Sequence, residues 1–330
     1  MIGWPSDLRG ITKEQADEYF ATFYAPNNCT VVMVGDLDYD EVIKMATRYF
    51  GRIPRGKTEP PEVITTEVPQ LAEKRMHAEA ETNPEVRIWY HGAAHNHADE
   101  PALDVLTSIL SGKTGRLNKK LVLEKQIATN VNAGLEARKY AGIIQLSGVA
   151  QGEHKPEEVE QTIYEEITKL QEAPVGVYEL QKVKNQKAAG NFRRLQSNFF
   201  LMVQLGLYEV NGDWNYLNTY PPKVQAVTAA DVQRVAKRYF TRENRSVIIY
   251  TRKKGATQED PELTGLPEQA KQMVTMMVGR LKGVNDAAQL QQMITGMESR
   301  LSEAPEEQRK AVEIIVKKAK ERLAELESKK

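Results

Sequence analysis

The chain has 330 residues, more than the roughly 100 to 200 usual for one domain, so two folded units are expected with room for an appendage. A composition of 41% hydrophobic and 27% charged residues is that of a globular protein and excludes collagen-like, mucin-like and wholly disordered classes. Forty-five basic residues balance forty-five acidic ones, so no global field draws the chain to nucleic acid or to an anionic membrane, and neither is expected as a partner.

The first predicted element is a helix near 12–23, opened by Thr12 as its N-cap and closed by the aromatic pair Phe23-Tyr24, with a β-branched strand following near 29–35. This unit recurs. Ile11 to Val34 lies over Val227 to Tyr250 at a constant offset of 216 without a gap: Thr12 matches Thr228, Asn28 matches Asn244, Val31 matches Val247, and Phe23-Tyr24 pairs with Tyr239-Phe240. A period of that size implies a duplicated domain of roughly two hundred residues. The second copy is preceded by a full body, about residues 76–226, and the first by only ten residues. The chain therefore reads as beginning inside a first domain. Cys29, the single cysteine, excludes an internal disulfide and a Cys-based zinc site, and its place in the apolar run of the first strand predicts a buried small hydrophobe.

A helix near 39–50 follows, with Val42, Ile43, Ala46 and Phe50 on one face and Gly51 and Pro54 to stop it. Pro54, Pro60, Pro61 and Pro69 among charges then mark a linker. The second domain carries a strand at 86–90, a helix from Asp99-Glu100-Pro101 to Leu110, a helix at 116–125, a long-looped hairpin of 127–137 and 142–150, and helices at 155–171 and 177–209 before the repeated helix and strand. Antiparallel strands mixed with runs of helix predict an α+β domain, its mostly antiparallel sheet covered by helices on one face. From about Glu259 helix formers dominate. Val274, Met277, Leu281 and Val284, then Leu290, Ile294, Met297 and Leu301, then Val312, Val316, Ala319, Leu323 and Leu326 recur at spacings of three and four, punctuated by Pro267 and Pro305. The expected organisation is 1–54, the end of a first domain; 55–75, a linker; 76–252, a second domain; and 253–330, a helical extension whose five methionines fill its core.

Candidate chemistry is sparse. His91, His95, His97 and Glu100 are zinc-type ligands, but His95 and His97 stand two apart in a loop, where a helical site wants spacings of three or four, so loop and cap roles are the reading. Ser111-Gly112-Lys113-Thr114 has the end of a phosphate-binding loop, but Thr107 replaces its first glycine and it follows a helix, so a helix C-cap and turn is expected. No nucleophile and base pair is evident. Asn28-Cys29-Thr30 and Asn244-Arg245-Ser246 fit a glycosylation sequon but sit where strands begin, as turn residues. The longest apolar runs are strand-length, far short of the about 20 residues that cross a bilayer, and Met1 to Asp7 shows no signal-peptide pattern.

Taken as an ordered set, Gly3-Trp4-Pro5-Ser6-Asp7-Leu8, Phe23-Tyr24-Ala25-Pro26-Asn27-Asn28, Val34-Gly35-Asp36-Leu37-Asp38, Tyr49-Phe50-Gly51-Arg52-Ile53-Pro54, Ser111 to Leu117 and Leu121 to Ala128 resemble the pitrilysin and insulinase-type zinc peptidases, over about residues 1–252. The resemblance implies two homologous α+β domains facing each other as a clamshell around a peptide chamber, with zinc held by an inverted H-x-x-E-H helix in the first part of the N-terminal domain. No such motif occurs here, so no residue of this chain inherits a catalytic or metal-ligating role, and zinc is expected only in a longer parent or a partner. Many members place an Arg and, seven residues later, a Tyr in the C-terminal domain to hold substrate; those positions are Val122 and Thr129 here, which cannot replace them. The resemblance thus implies the C-terminal, non-catalytic portion of a zinc metallopeptidase, one chamber wall, partnered by a homologous half or a second copy and enclosing unfolded peptide in a bacterial cytoplasm or periplasm. The alternative is an inactive peptidase-derived scaffold subunit.

Overall fold

A computed structural model describes residues 3–253, 263, 266–284, 286–301 and 306–327, and the chain divides after Lys253 into two compact units. The expected change of composition near Glu259, and Pro305, lie outside the described residues.

The first unit begins with three helices, α1 (Pro5–Gly10), α2 (Lys13–Phe23) and α3 (Tyr39–Phe50), none of which buries a residue. The sheet follows with β1 (Lys74–Ala80) and β2 (Glu85–Gly92), then α4 (Glu100–Leu110), a π-helical stretch (Asn118–Glu124), β3 (Ala128–Ala137) and β4 (Gly142–Ala150). Five helices, α5 (Pro156–Glu172), α6 (Val177–Leu195), α7 (Asn198–Asn211), α8 (Tyr216–Ala226) and α9 (Ala229–Tyr239), lead to β5 (Arg245–Arg252). Strand order is β1-β5-β2-β4-β3, with only the β1–β5 pair parallel. This is the α+β architecture expected.

Alternation places the core. Val86, Ile88 and Tyr90 on β2, Ile144 and Leu146 on β4, and Val247 and Ile249 on β5 turn to one face, where Leu103 and Leu106 of α4, Ile163 of α5 and Val232 of α9 bury against them. Gly148 has no side chain because Val159 of α5 occupies the space: a Cβ there would lie 2.4 Å from Val159 Cγ1. The opposite face carries no helix from this list and is the open face of the sheet.

The repeat is realised bond for bond. Thr12 Oγ1 accepts from Gln15 N while the Gln15 side chain accepts from Thr12 N; Thr228 and Asp231 do the same at α9. Asn28 Nδ2 donates to Phe23 O at 2.8 Å, and its mate Asn244 Nδ2 donates to Tyr239 O at 2.8 Å. One thing differs. β5 lies between β1 and β2, whereas residues 29–34, within the strand expected near 29–35, join no ladder. A strand's backbone groups are satisfied only by neighbouring strands, and none lies beside this segment among the described residues. Cys29, expected to be buried, is exposed for the same reason.

Three other expectations need correction, and one helix was not expected at all. The linker does not extend to 75: Gln70 donates to the carbonyls of Glu243 and Arg245, Glu73 pairs with Arg245, and β1 starts at Lys74. The helix at 116–125 forms, but with π geometry over 118–124. The single helix at 177–209 breaks at Gln196-Ser197 into α6 and α7. α8 forms despite Pro221 and Pro222, which remove two backbone donors; burial of Val224 and the bond from Tyr220 Oη to Asp104 (2.8 Å) hold it in place.

The second unit contains α10 (Glu268–Lys282), α11 (Ala287–Leu301) and α12 (Glu306–Glu327). Val274, Leu281, Leu290, Ile294, Ile315 and Ala319 form its core, with Met273, Met277, Met293 and Met297 half-buried around it.

Candidate functional site

The open face of the sheet is built by the residues that alternate with the core. On β2 these are Arg87, Trp89 and His91, and on β4 Gln145 and Ser147; Ile248 and Tyr250 of β5 complete the patch. Register puts Trp89 between Gln145 and Ser246, and Arg87 between Ser147 and Ile248. Arg87 Nη2 pairs with Glu85 at 2.7 Å and its guanidinium lies 5.4 Å from the Tyr250 ring centroid. Gln145 Nε2 donates to Glu136 of β3 at 3.0 Å. An indole, a phenol, an amide and a cation on a rigid twisted surface can stack on and hydrogen-bond to an extended chain, but they include no nucleophile with a base beside it.

The end of this sheet is pinned by a charge network. Arg75 makes a two-pronged pair with Glu160 of α5 through Nη1 and Nη2, at 3.0 and 2.5 Å, and Glu73 pairs with Arg245, whose guanidinium sits 4.2 Å from the Tyr164 ring centroid. Burial would raise the Glu73 carboxyl, but bonds from Arg245 and Arg75 outweigh it and hold the group below the usual range. Burial pushes the Tyr90 hydroxyl up to about 12, against the opposing pull of Arg245, so it stays protonated in the core.

The zinc-type residues do not converge. His91 Nδ1 pairs with Glu67 at 2.9 Å, His97 Nδ1 accepts from Asp99 N at 3.0 Å, and His95 is buried with Nδ1 3.5 Å from Glu100, whose other oxygen accepts from Asn96 N at 2.6 Å. Among the described residues no three His, Cys, Asp or Glu side chains stand as a metal-holding group. The donor set present among the described residues does not fit a zinc ion. Ser111-Gly112 forms the end of α4: Gly112 takes φ +79°, and Ser111 Oγ donates to Asn132 of β3 at 3.0 Å.

The two positions suggested by resemblance lie at the outer edge of the sheet. Val122 is half-buried and packs against the core from the π-helical stretch. Thr129 is exposed on β3 at the point where the register slips between Ala128 and Asn130, and its hydroxyl donates to Val149 O at 3.5 Å. Neither offers a free donor beyond the sheet. No motif singles out the residues of the open face, although the alternation of 85–91, 142–150 and 245–252 contains them.

The sequence model of the family described as the peptidase M16 inactive domain matches residues 10–187. This chain belongs to that family. The zinc protease PqqE of Helicobacter pylori is 24% identical over 259 residues, which cover 76% of this chain and 57% of the relative. The crystal structure of a protease from Helicobacter pylori superposes with a TM-score of 0.72 at 22% identity, over 76% of this chain and 62% of that one. A peptidase M16 inactive domain from Pseudomonas fluorescens gives a TM-score of 0.63 at 18% identity, covering 77% and 60%. These likenesses show a shared fold, and the chain spans about 57% of the length of the curated relative it matches. Among the described residues no helix is long and apolar enough to cross a membrane.

Proposed function

We propose that this chain is one wall of a peptide-enclosing chamber, catalytically silent by itself and completed by a homologous half that carries the zinc. Residues 29–34 carry the reading: they hold the place in the repeat that the interior strand β5 holds in the second copy, yet join no sheet, with Val31 62% and Met33 47% exposed. The apolar faces of α2 and α3 are equally uncovered, with Tyr19, Phe20, Ile43 and Phe50 all exposed. Surfaces of this kind are built to pack on a sheet, and the mate α9–β5 shows the packing they would adopt. The open face of the complete sheet, with Arg87, Trp89 and Tyr250, would then face unfolded peptide. A bacterial cytoplasm or periplasm is the compartment this reading proposes.

The test compares this chain with one extended upstream in its gene by about 170 residues, roughly the length of one domain body. Zinc content, hydrolysis of a quenched unstructured peptide and amide exchange at residues 29–34 are measured on both. Zinc, cleavage and protection of 29–34 in the longer chain alone are expected. Protection without zinc or cleavage would replace the peptidase with a scaffold subunit; no protection at all would refute the pairing.

A further inference from the structure

We propose that the cavity between α4, α6, α7 and α8 binds a small carboxylate carried on an apolar, ring-sized body. Every residue lining it is helical and none belongs to the sheet, so this inference stands apart from the chamber wall. The cavity encloses ≈ 260 Å³, below the about 300 to 1,000 Å³ of drug-sized sites, and suits a metabolite or one terminal residue.

Its walls are aromatic. Tyr216 stacks on Tyr220 with centroids 4.6 Å apart and meets Tyr208 edge-on at 5.0 Å, while Leu217, Pro221 and Val224 close the remainder. Flat rings with aliphatic neighbours favour a flat apolar body. The polar groups do not cancel. Asp104 is saturated, taking Lys187 Nζ at 2.7 Å and Tyr220 Oη at 2.8 Å, so that acid and that base neutralise each other. Arg194 then remains as the unbalanced charge: its Nε donates to Gly190 O at 3.3 Å, and its terminal nitrogens meet no acceptor among the described residues. Asn191 and the Tyr208 hydroxyl, which line the same cavity, also have no hydrogen-bond partner among the described residues. Burial raises the Tyr208 hydroxyl, opposed by Arg194 and reinforced by the charges of Glu100 and Asp104, so it is a proton donor at neutral pH. The buried Tyr216 hydroxyl makes no well-aligned hydrogen bond, but it stands close to Glu100 and to Tyr220 and is not counted among the donors.

The lining side chains, a guanidinium, an amide and a phenol among them, carry one net positive charge, with the Glu100 carboxylate behind the tyrosines, and complement a monovalent carboxylate, which can take two parallel bonds from the guanidinium. A polyanion would find only this one uncompensated cation. Two sources share the chemistry: a free aromatic acid, and the C-terminal residue of a peptide.

Titration calorimetry on the full chain with phenylacetate and N-acetylphenylalanine, each against its amide, tests the assignment. Saturable binding of at least one acid is expected, at least about tenfold tighter than its amide, since a bond to a charged partner is worth that much. Arg194→Gln should weaken it about tenfold and Tyr208→Phe by a smaller factor, whereas Arg193→Gln, outside the cavity, should not. Tighter N-acetylphenylalanine identifies a peptide C-terminus and tighter phenylacetate a free acid; either supports the site. Amides binding as well as acids, no saturation by about 10 mM, or a folded Arg194→Gln variant that binds like the parent would overturn it.

Discussion

Gly148→Ala is the sharpest test of how the sheet meets its helical layer. Gly148 stands in the middle of β4, paired with Val86 of β2 and Val131 of β3, and faces α5. A methyl at its Cβ position would lie 2.4 Å from Val159 Cγ1, 3.8 Å from Val159 Cβ and 3.5 Å from Val131 Cγ1. Carbon atoms in contact prefer about 3.5 to 4.0 Å, so one neighbour must move by more than about 1 Å. Val159 is fully buried and, as a β-branched residue in a helix, has essentially one rotamer. The strain therefore passes to the spacing of α5 and the sheet, at a cost of about 2 kcal/mol. Val159→Ala alone removes the obstructing methyl groups and leaves a cavity, again at about 2 kcal/mol. The double variant fills that cavity with the new methyl, so its cost should stay near about 2 kcal/mol rather than doubling.

All three tryptophans, Trp4, Trp89 and Trp214, belong to the first unit, so their fluorescence in urea reports its unfolding without interference from α10–α12. A loss below about 0.5 kcal/mol for Gly148→Ala, or costs that simply add in the double variant, would refute the close contact of β4 with α5.

Asp99 supplies a pH test: burial would raise its carboxyl, but bonds from Arg234 (2.6 Å) and Tyr239 (2.9 Å) and the charges of Arg234 and Arg238 outweigh that and lower it. A depressed folded-state value stabilises the fold above the unfolded carboxyl's about 3.9 and loses that contribution as pH falls through the folded value. Asp99→Asn should therefore cost about 1 to 3 kcal/mol at pH 7, kept modest because both arginines are half-exposed, and little at pH 2; equal costs at the two pH values in urea titrations would contradict this. Leu290→Ala should remove about 3 kcal/mol from the helical unit, seen as lost cooperative helix in far-UV circular dichroism, while the tryptophan-detected transition stays in place; a shift of that transition would show that the two units unfold together.

Some of this architecture was written in local pattern and some was not. The hairpin of β3 and β4 was legible because Ile144 and Leu146 alternate with half-buried neighbours, a period only a one-sided sheet produces. β1 was hidden: in Lys-Arg-Met-His-Ala-Glu-Ala only Met76 and two alanines alternate with polar residues, a weak signal, because an edge strand gains its place from the parallel ladder with β5 and the pair of Arg75 with Glu160. α8 was hidden by its two prolines, and with it the rings of Tyr216 and Tyr220, whose cavity depends on side chains brought from α4, α6 and α7. Asp99 was read as an acidic opening of α4. Its carboxylate makes no capping bond and instead ties α4 to α9, a long-range role that no local pattern encodes. Val122 and Thr129 could be located only through resemblance to a family, and the structure shows their side chains engaged with their own domain.

The two copies of the repeated segment separate what sequence determines from what neighbours determine. Both copies form the helix, the capping box and the Asn bond that closes the turn, since each of these is satisfied within about seventeen consecutive residues. Only the second forms the strand. Val31 and Val247 occupy equivalent places, yet Val247 is 1% exposed in the centre of a sheet and Val31 is 62% exposed. Both segments are rich in β-branched residues, so the difference lies in the partner strands β1 and β2, whose backbone groups complete the ladder for one copy alone. The same comparison indicates what a completing half must bring: strand edges for residues 29–34 and an apolar surface for α2 and α3. A partner offering only a surface would cover Phe20 and Ile43 but leave the amides of 29–34 exchanging freely, so amide exchange and apolar burial, measured together, report separately on the two halves of that requirement.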